Sequence, residues 1–262
     1  GDLVGSGSDG AVLLLSLQTG RIVKTLTGIR ARVSSLAFSL DGKNLAVGFG
    51  GARDISRSQV GDLANLITSA QEGSNAIENG VAIYGVADLR LIYSDPLSIG
   101  AVVSMVFNNA GNLAVATHEA KGYGRLAIYR KPGGNYERQA KADVVRHAGS
   151  GLVWRNDNKT ILLGQDGEFG ADTINEVAPA FHASREDISA VRFLSDGTPI
   201  AAFGTKHNGQ GEIKALTDAK WHSSKSVIQI PDSNLEDMRF LSGGQIAYVT
   251  DNGTLAVLGA DG

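Results

Sequence analysis

The residues able to coordinate or catalyse are scattered along this chain. His118, His147, His182, His207 and His222 are its five histidines. No two of them have the three- or four-residue spacing that puts a pair of metal ligands on one face, which leaves only a metal assembled from distant segments. Asp166, Glu168 and Asp172 alternate loosely in a Gly-rich stretch, and their carboxylates would suit calcium. They lack the spaced acidic loop with its closing Glu, so that match is weak. Gly5-Ser6-Gly7-Ser8-Asp9-Gly10 fits the three-glycine dinucleotide pattern letter by letter. That motif works by aiming a helix N-terminus at a pyrophosphate, whereas Ala11 to Leu17 reads as a strand, so the glycines predict a hairpin turn. No serine stands in a nucleophile elbow, and the absence of cysteine excludes disulfides and thiolate metal sites. Neither a catalytic group, a metal nor a cofactor is expected, and the chain reads as a non-enzyme.

Recognition chemistry is what remains. Arg53, Arg57, His118, Lys121, Tyr123, Glu168, Phe169, Lys206 and His207 bring charge, imidazole and aromatic rings to segments that read as loops, where binding residues usually sit. Each of them alone is also what an ordinary solvated loop carries. Asn158-Lys159-Thr160 and Asn252-Gly253-Thr254 are formal glycosylation sequons in predicted turns, where Asn is favoured for its backbone conformations alone.

The elements that position these loops follow from a repeat. An apolar residue stands two places before each of Phe38, Phe107, Trp154, Phe193 and Phe240: Leu36, Met105, Leu152, Val191 and Met238. The aromatics are spaced 69, 47, 39 and 47 residues apart, and the first interval falls to 41 if 52–79 is a 28-residue insertion. Turns then follow at Asp41-Gly42, Ala110-Gly111, Asp157-Asn158, Asp196-Gly197 and Gly243-Gly244, built from residues that tolerate the backbone angles of tight hairpins. A second strand comes next, as in Leu45-Ala46-Val47 or Ile200-Ala201-Ala202, and a third is introduced by Gly80, Gly124, Gly211 or Gly253. A period of about 43 residues, read as four short antiparallel strands, predicts an all-β chain: a β-propeller of four-stranded blades.

Residues 33–42, "VSSLAFSLDG", and 3–20, "LVGSGSDGAVLLLSLQTG", resemble strands of the WD-repeat family. The resemblance covers most of the chain, weakly at 165–185. It departs from the pattern where Gly28-Ile29 replaces the Gly-His and where Ser16-Leu17, Tyr84-Gly85 and Tyr129-Arg130 replace the closing Trp-Asp. The family's buried His, Ser, Asp and Trp network is not supplied in full by any repeat, so these blades must hold mainly by packing. For partners, the resemblance implies the face that carries both the loops between second and third strands and the connections between blades.

Those loops are uneven. The insertion at 52–79 is longest, and Val60, Leu63, Ala64 and Ile67 within it follow the one-face spacing of a short helix. Loops of such length are uncommon unless functional or disordered. Residues 118–124 and 204–211 are also enlarged, with 165–172 a third candidate, while Ser8-Asp9-Gly10 and Asp251-Asn252-Gly253 are tight. Elaboration on one rim points to a scaffold that binds a protein or peptide partner, or another domain of its own parent chain.

Residues 1–28 supply three strands without a first. Fuller units follow at about 31–97, 100–143, 148–184 and 186–230, and 233–262 supplies a first, second and third. Six units are visible, a seven-bladed ring is the simplest completion, and 1–262 is expected to be one domain or an excerpt of one. At 42% hydrophobic and 19% charged, with 34 glycines, the composition suits a large core with many turns. A net charge of −3 argues against nucleic acid. No apolar run is long enough to span a membrane as a helix and no secretory signal is visible, so a cytoplasmic location is expected. The alternative reading is a propeller enzyme or small-ligand sensor at the channel mouth, because Ala247 to Gly253 looks like the Tyr-Val-Thr-Asn repeat of lactonase-type propellers. A Tyr-Val-Thr strand before an Asp-Asn-Gly turn is also plain hairpin chemistry.

Overall fold

The computed structural model describes residues 2–6, 11–29, 31–50, 79–96, 101–118, 123–139, 142–146, 151–158, 160–165, 168–173, 176–177, 181–182, 187–194, 198–204, 211–216, 224–230, 233, 235–241 and 245–259. Six antiparallel sheets account for the described strands. The first holds β1 (Asp2–Ser6), β2 (Val12–Ser16) and β3 (Ile22–Leu26). The second holds β4 (Val33–Phe38), β5 (Asn44–Phe49), β6 (Gly80–Gly85) and β7 (Leu91–Pro96). The third is built from β8 (Ala101–Phe107), β9 (Leu113–His118), β10 (Tyr123–Arg130), β11 (Glu137–Arg138) and β12 (Ala142–Arg146), and both β11 and β12 lie on β10.

In the fourth sheet, β13 (Gly151–Trp154), β14 (Thr160–Gln165) and β15 (Glu168–Thr173) are followed by β16 (Glu176–Val177) and β17 (Phe181–His182), which both pair with β15. The fifth runs β18 (Asp187–Phe193), β19 (Pro199–Gly204), β20 (Gly211–Leu216) and β21 (Ser224–Ile230). The sixth has β22 (Leu235–Phe240), β23 (Ile246–Thr250) and β24 (Leu255–Leu258). The strand-by-strand reading of the repeat is therefore the fold, and the differences lie at outer strands. The third unit continues to Arg146, three residues past its expected end, and the fourth strand of the fourth sheet is broken across the segment that contains Pro179.

Register separates strand positions that sequence treats alike. Second and third strands pair without a slip in β1–β2, β5–β6, β9–β10, β14–β15, β19–β20 and β23–β24. Three first strands carry one extra residue, namely Ser34, Ser189 and Glu236 in β4, β18 and β22, whereas β13 pairs with β14 without a slip. Fourth strands do as well: Val23, Ile92 and Val227 are the extra residues of β3, β7 and β21, and β12 has one more than β10 opposite it. Bulges at sheet edges bend the strand and blunt its capacity to pair further. The pattern marks β1, β2 and β3 as second, third and fourth strands, and β22, β23 and β24 as first, second and third.

Two compact units divide the chain, Gly1–Val102 and Val103–Gly262. In the first, Val12, Leu14, Val33, Leu45 and Val47 are buried between the first two sheets, with Leu26, Leu36, Phe38 and Tyr84 packed against them. In the second, Ala114, Ala116, Leu126, Ile128, Leu152, Trp154 and Ile161 join the third and fourth sheets. Ala190, Ile200, Ala202, Ile213, Leu235, Met238 and Ile246 join the fifth and sixth. Side chains alternate across a strand, so one face of each middle strand meets a neighbouring sheet and the apolar pair of the repeated phrase becomes core.

Candidate interaction loops and their supports

In each four-stranded sheet the antiparallel order puts the first-to-second and third-to-fourth turns at one end and the second-to-third connection at the other. Val86 N donates to Lys43 O at 2.9 Å, directly joining the β6–β7 and β4–β5 turns of the second sheet. The opposite ends carry connections of unequal length: 50–79 after β5, 119–122 after β9, 205–210 after β19, and only 166–167 after β14.

The 51–79 segment leaves and re-enters through a tight neck. Phe49 pairs with Gly80 as the last step of the β5–β6 ladder. Gly50 follows at φ +119, a left-handed conformation that side chains rarely adopt, and a Cβ there would lie 2.9 Å from Asn79 Cα. Its amide donates to Arg32 O at 2.9 Å. Glycine is required on the returning side too, since a Cβ at Gly80 would fall 2.7 Å from Phe49 Cζ and 2.9 Å from Asp95 O. At the start of β20, a Cβ on Gly211 would fall 2.9 Å from Ser233 O and 3.2 Å from Leu235 Cγ. Two of the four glycines read as strand openers thus permit close backbone approach, while Gly253, at φ +84, makes a turn.

Of the nine residues singled out for recognition, His118 and Tyr123 end β9 and begin β10, flanking the 119–122 connection, with His118 opposite Gly124 and Tyr123 opposite Arg146. Glu168 and Phe169 stand on β15 where an enlarged loop was expected, because the ladder runs up to the Gln165–Glu168 pair. On the far side of that strand Glu168 faces His182 and Phe169 faces Phe181 in register, a juxtaposition hidden in sequence by their separation. Arg53, Arg57, Lys121, Lys206 and His207 lie outside the described residues, as do Val60, Leu63, Ala64 and Ile67. Asp166 is outside them as well, whereas Asp172 is on β15. Among the described residues no three His, Asp or Glu side chains gather as a metal site would require.

The turn ends are sealed by polar bonds to backbone carbonyls. Lys24 Nζ donates to Val86 O at 2.7 Å and also to Ala87 O, tying β3 to the β6–β7 turn. Trp154 Nε1 donates to Val106 O at 3.0 Å. Asn158, at φ 58, accepts on Oδ1 from Asn109 N at 3.0 Å and on its carbonyl from Asn108 Nδ2 at 3.4 Å. Within the turns, Asp41 Oδ1 accepts from Ser39 Oγ and Lys43 N, and Asn108 Oδ1 accepts from Ala110 N and Asn112 N. Packing was expected to be the main hold on the repeats, and side-chain bonds across sheets add to it. The aromatic of the repeated phrase was legible, but its indole N–H had no visible partner in sequence.

Burial acts on one group and pairing on another. Desolvation raises the Tyr84 phenol above its ordinary value of 10.0. Lys214 is held 3.0 Å from the Glu212 carboxylate and 4.8 Å above the Phe203 ring centroid, so its charge is balanced where it enters the sheet.

Known structures share this architecture. The chain is similar to the β-propeller domain of Myceliophteria thermophila Cps50 (Swd1), with TM-score 0.67, 14% identity, and 98% of this chain and 83% of that chain covered. It is similar also to a chain in the crystal structure of the mitotic checkpoint complex, with TM-score 0.68, 11% identity, and 98% and 70% covered. Neither a family model nor a curated protein sequence matches it. The fold is that of a β-propeller with four-stranded antiparallel blades.

Proposed function

We propose that this chain is a non-enzymatic interaction module, a degenerate WD-repeat-like propeller that holds a protein or peptide on its elaborated second-to-third connections. The observation that carries the reading is the contrast between the two ends of the second sheet. One end is sealed by turn hydrogen bonds and the Lys24 contact, while the other opens through the Gly50–Gly80 neck into 51–79. A rigid scaffold that presents variable connections loses little ordering entropy at its base when a partner docks. Of the similar structures described above, one is a β-propeller domain and another is a chain from a protein complex. Arg53, Arg57, Lys121, Lys206 and His207, with His118 and Tyr123 at a loop mouth, are the proposed contact residues. Glu168 and Phe169 belong to the same proposal as strand residues at a shorter connection.

Deleting residues 54–78 is the direct test. The variant is expected to keep the far-UV spectrum and melting temperature of the parent, because the neck closes without the insert. It is expected to lose the partner recovered with the intact chain by cross-linking capture. Undiminished recovery of the same partner overturns the assignment to this insertion.

A further inference from the structure

We propose that Asn252 is a deamidation site: its side-chain amide is exchanged for a carboxylate with water as co-reactant, and the native turn retains the aspartate product. Asn79-Gly80, Asn208-Gly209 and Asn252-Gly253 are the three Asn-Gly dipeptides of the chain. A glycine after the asparagine puts no side chain in the way when its backbone nitrogen approaches the amide carbon. Asn208 lies outside the described residues. The other two stand in opposite surroundings.

Asn79 is half-buried at the neck, with its Oδ1 and Cγ where a Cβ on Gly50 would fall. Gly80 is buried there, paired with Phe49 on one side and Pro96 on the other. Asn252 and Gly253 are both exposed, in the turn that joins β23 to β24. The backbone bond that must be released in that turn runs from Gly253 N to Thr250 O at 3.0 Å. Exposed turns open locally at small cost, whereas a ladder position opens only with its sheet.

The turn is already furnished for the product. Asn252 Oδ1 accepts from Thr250 Oγ1 at 2.7 Å, Thr254 Oγ1 at 2.8 Å and Thr254 N at 3.1 Å, while Nδ2 takes no part in these bonds. A carboxylate oxygen accepts from all three donors, and more strongly for its charge. The β4–β5 turn shows the substitution in place. Asp41 Oδ1 accepts from Ser39 Oγ at 2.6 Å and Lys43 N at 3.0 Å, the counterparts of Thr250 Oγ1 and Thr254 N. Gly42 N donates to Ser39 O at 2.9 Å as Gly253 N does to Thr250 O, and the two glycines share positive φ, +69 and +84.

In the conversion, Gly253 N attacks Asn252 Cγ, the Cγ–Nδ2 bond breaks, and ammonia leaves with the backbone amide proton. Water then adds to the cyclic imide. Addition at Cγ breaks the new Cγ–N bond and leaves aspartate on the original backbone. Addition at the main-chain carbonyl gives isoaspartate, whose extra backbone carbon disrupts the Gly253–Thr250 bond. One water is consumed, one ammonia is released, and nothing is oxidised or reduced. The aspartate form adds a negative charge to a second-to-third connection, which alters the partner charges that this end of the sheet attracts.

The test holds the full 262-residue chain in mildly alkaline buffer and follows tryptic digests by fragmentation mass spectrometry, which reads Asn252 as the only asparagine from Phe240 onward. Conversion at Asn252 is expected to run about tenfold or more ahead of Asn79 in the folded chain, and the two rates are expected to converge in urea, where local protection is gone. Asn252→Asp is expected to keep the parent's melting temperature and the hydrogen-exchange protection of the Gly253 and Thr254 amides. Asn252→Ala, which removes the acceptor, is expected to lower both. An Asn252 that stays unconverted in the folded chain while it converts in urea, or an Asn79 that keeps pace with it, overturns the site. An Asn252→Asp variant as destabilised as Asn252→Ala overturns the retention of the product by the turn.

Discussion

Two seams of this molecule solve one problem with different chemistry. Between the first and second sheets the contact is aliphatic, centred on Val12, Leu14, Val33, Leu45 and Val47, and its polar closure is the flexible Lys24 side chain reaching two turn carbonyls. Between the third and fourth sheets a rigid indole takes over. Trp154 fills the seam and bonds Val106 O, and Asn158 clips the adjacent turn. A repeat can therefore conserve where sheets must be joined while changing which atoms join them. Degenerate repeats follow from that freedom, because a backbone carbonyl accepts from an ammonium, an amide or an indole.

The largest expected effect breaks the second seam. Trp154→Ala removes a buried aromatic and leaves Val106 O without its donor, and is expected to cost about 3–5 kcal/mol in urea denaturation. Hydrogen exchange should lose protection within residues 103–262 and keep it within 11–50. Equal loss in both units would show that the seams are not independent. Gly50→Ala should cost about 2–3 kcal/mol, because it combines an unfavourable φ with a clash against Asn79, measured by the shift in melting temperature. Lys24→Met tests the first seam and is expected to cost only about 1 kcal/mol, since its ammonium is partly solvated. A loss as large as that of Trp154→Ala would mean the lysine, and not the aliphatic cluster, holds that contact.

The smallest effect concerns pH. Burial raises the Tyr84 phenol above 10.0, so the folded chain keeps a proton that the unfolded chain releases more readily. Its stabilisation is fully present below that value and is lost as pH rises beyond it. Tyr84→Phe should flatten the stability profile above about pH 10 and leave it unchanged at neutrality.

Much of the fold was legible because its signal is local. Phe38, Phe107 and Trp154 mark first strands, each followed by a turn whose residues suit tight hairpins, and the six sheets follow that reading apart from the outer strands and the stretch around Glu168. Edge irregularity was not legible, because a bulge at Ser34 or Val227 changes which partner a residue faces without changing the alternation on either side. The stretch around Glu168 was misread for a related reason. Gly164, Gln165 and Gly167 look like a loop, yet residues 168–173 pair on both sides, with β14 and with the broken fourth strand. Tertiary pairing overrode weak local propensity there. The candidate site was legible as loop lengths only, since glycine necks and carbonyl clips depend on atoms from segments far apart in sequence.

The neck at Gly50 and Gly80 has a consequence for how such a chain changes over generations. A blade that closes its ladder before the insertion begins does not register how long that insertion is, since loop-closure entropy grows only slowly with length. Changes of length or sequence between residues 51 and 78 are thereby expected to leave the scaffold's stability nearly unchanged. The same neck is a natural socket for a foreign peptide or domain grafted in by design.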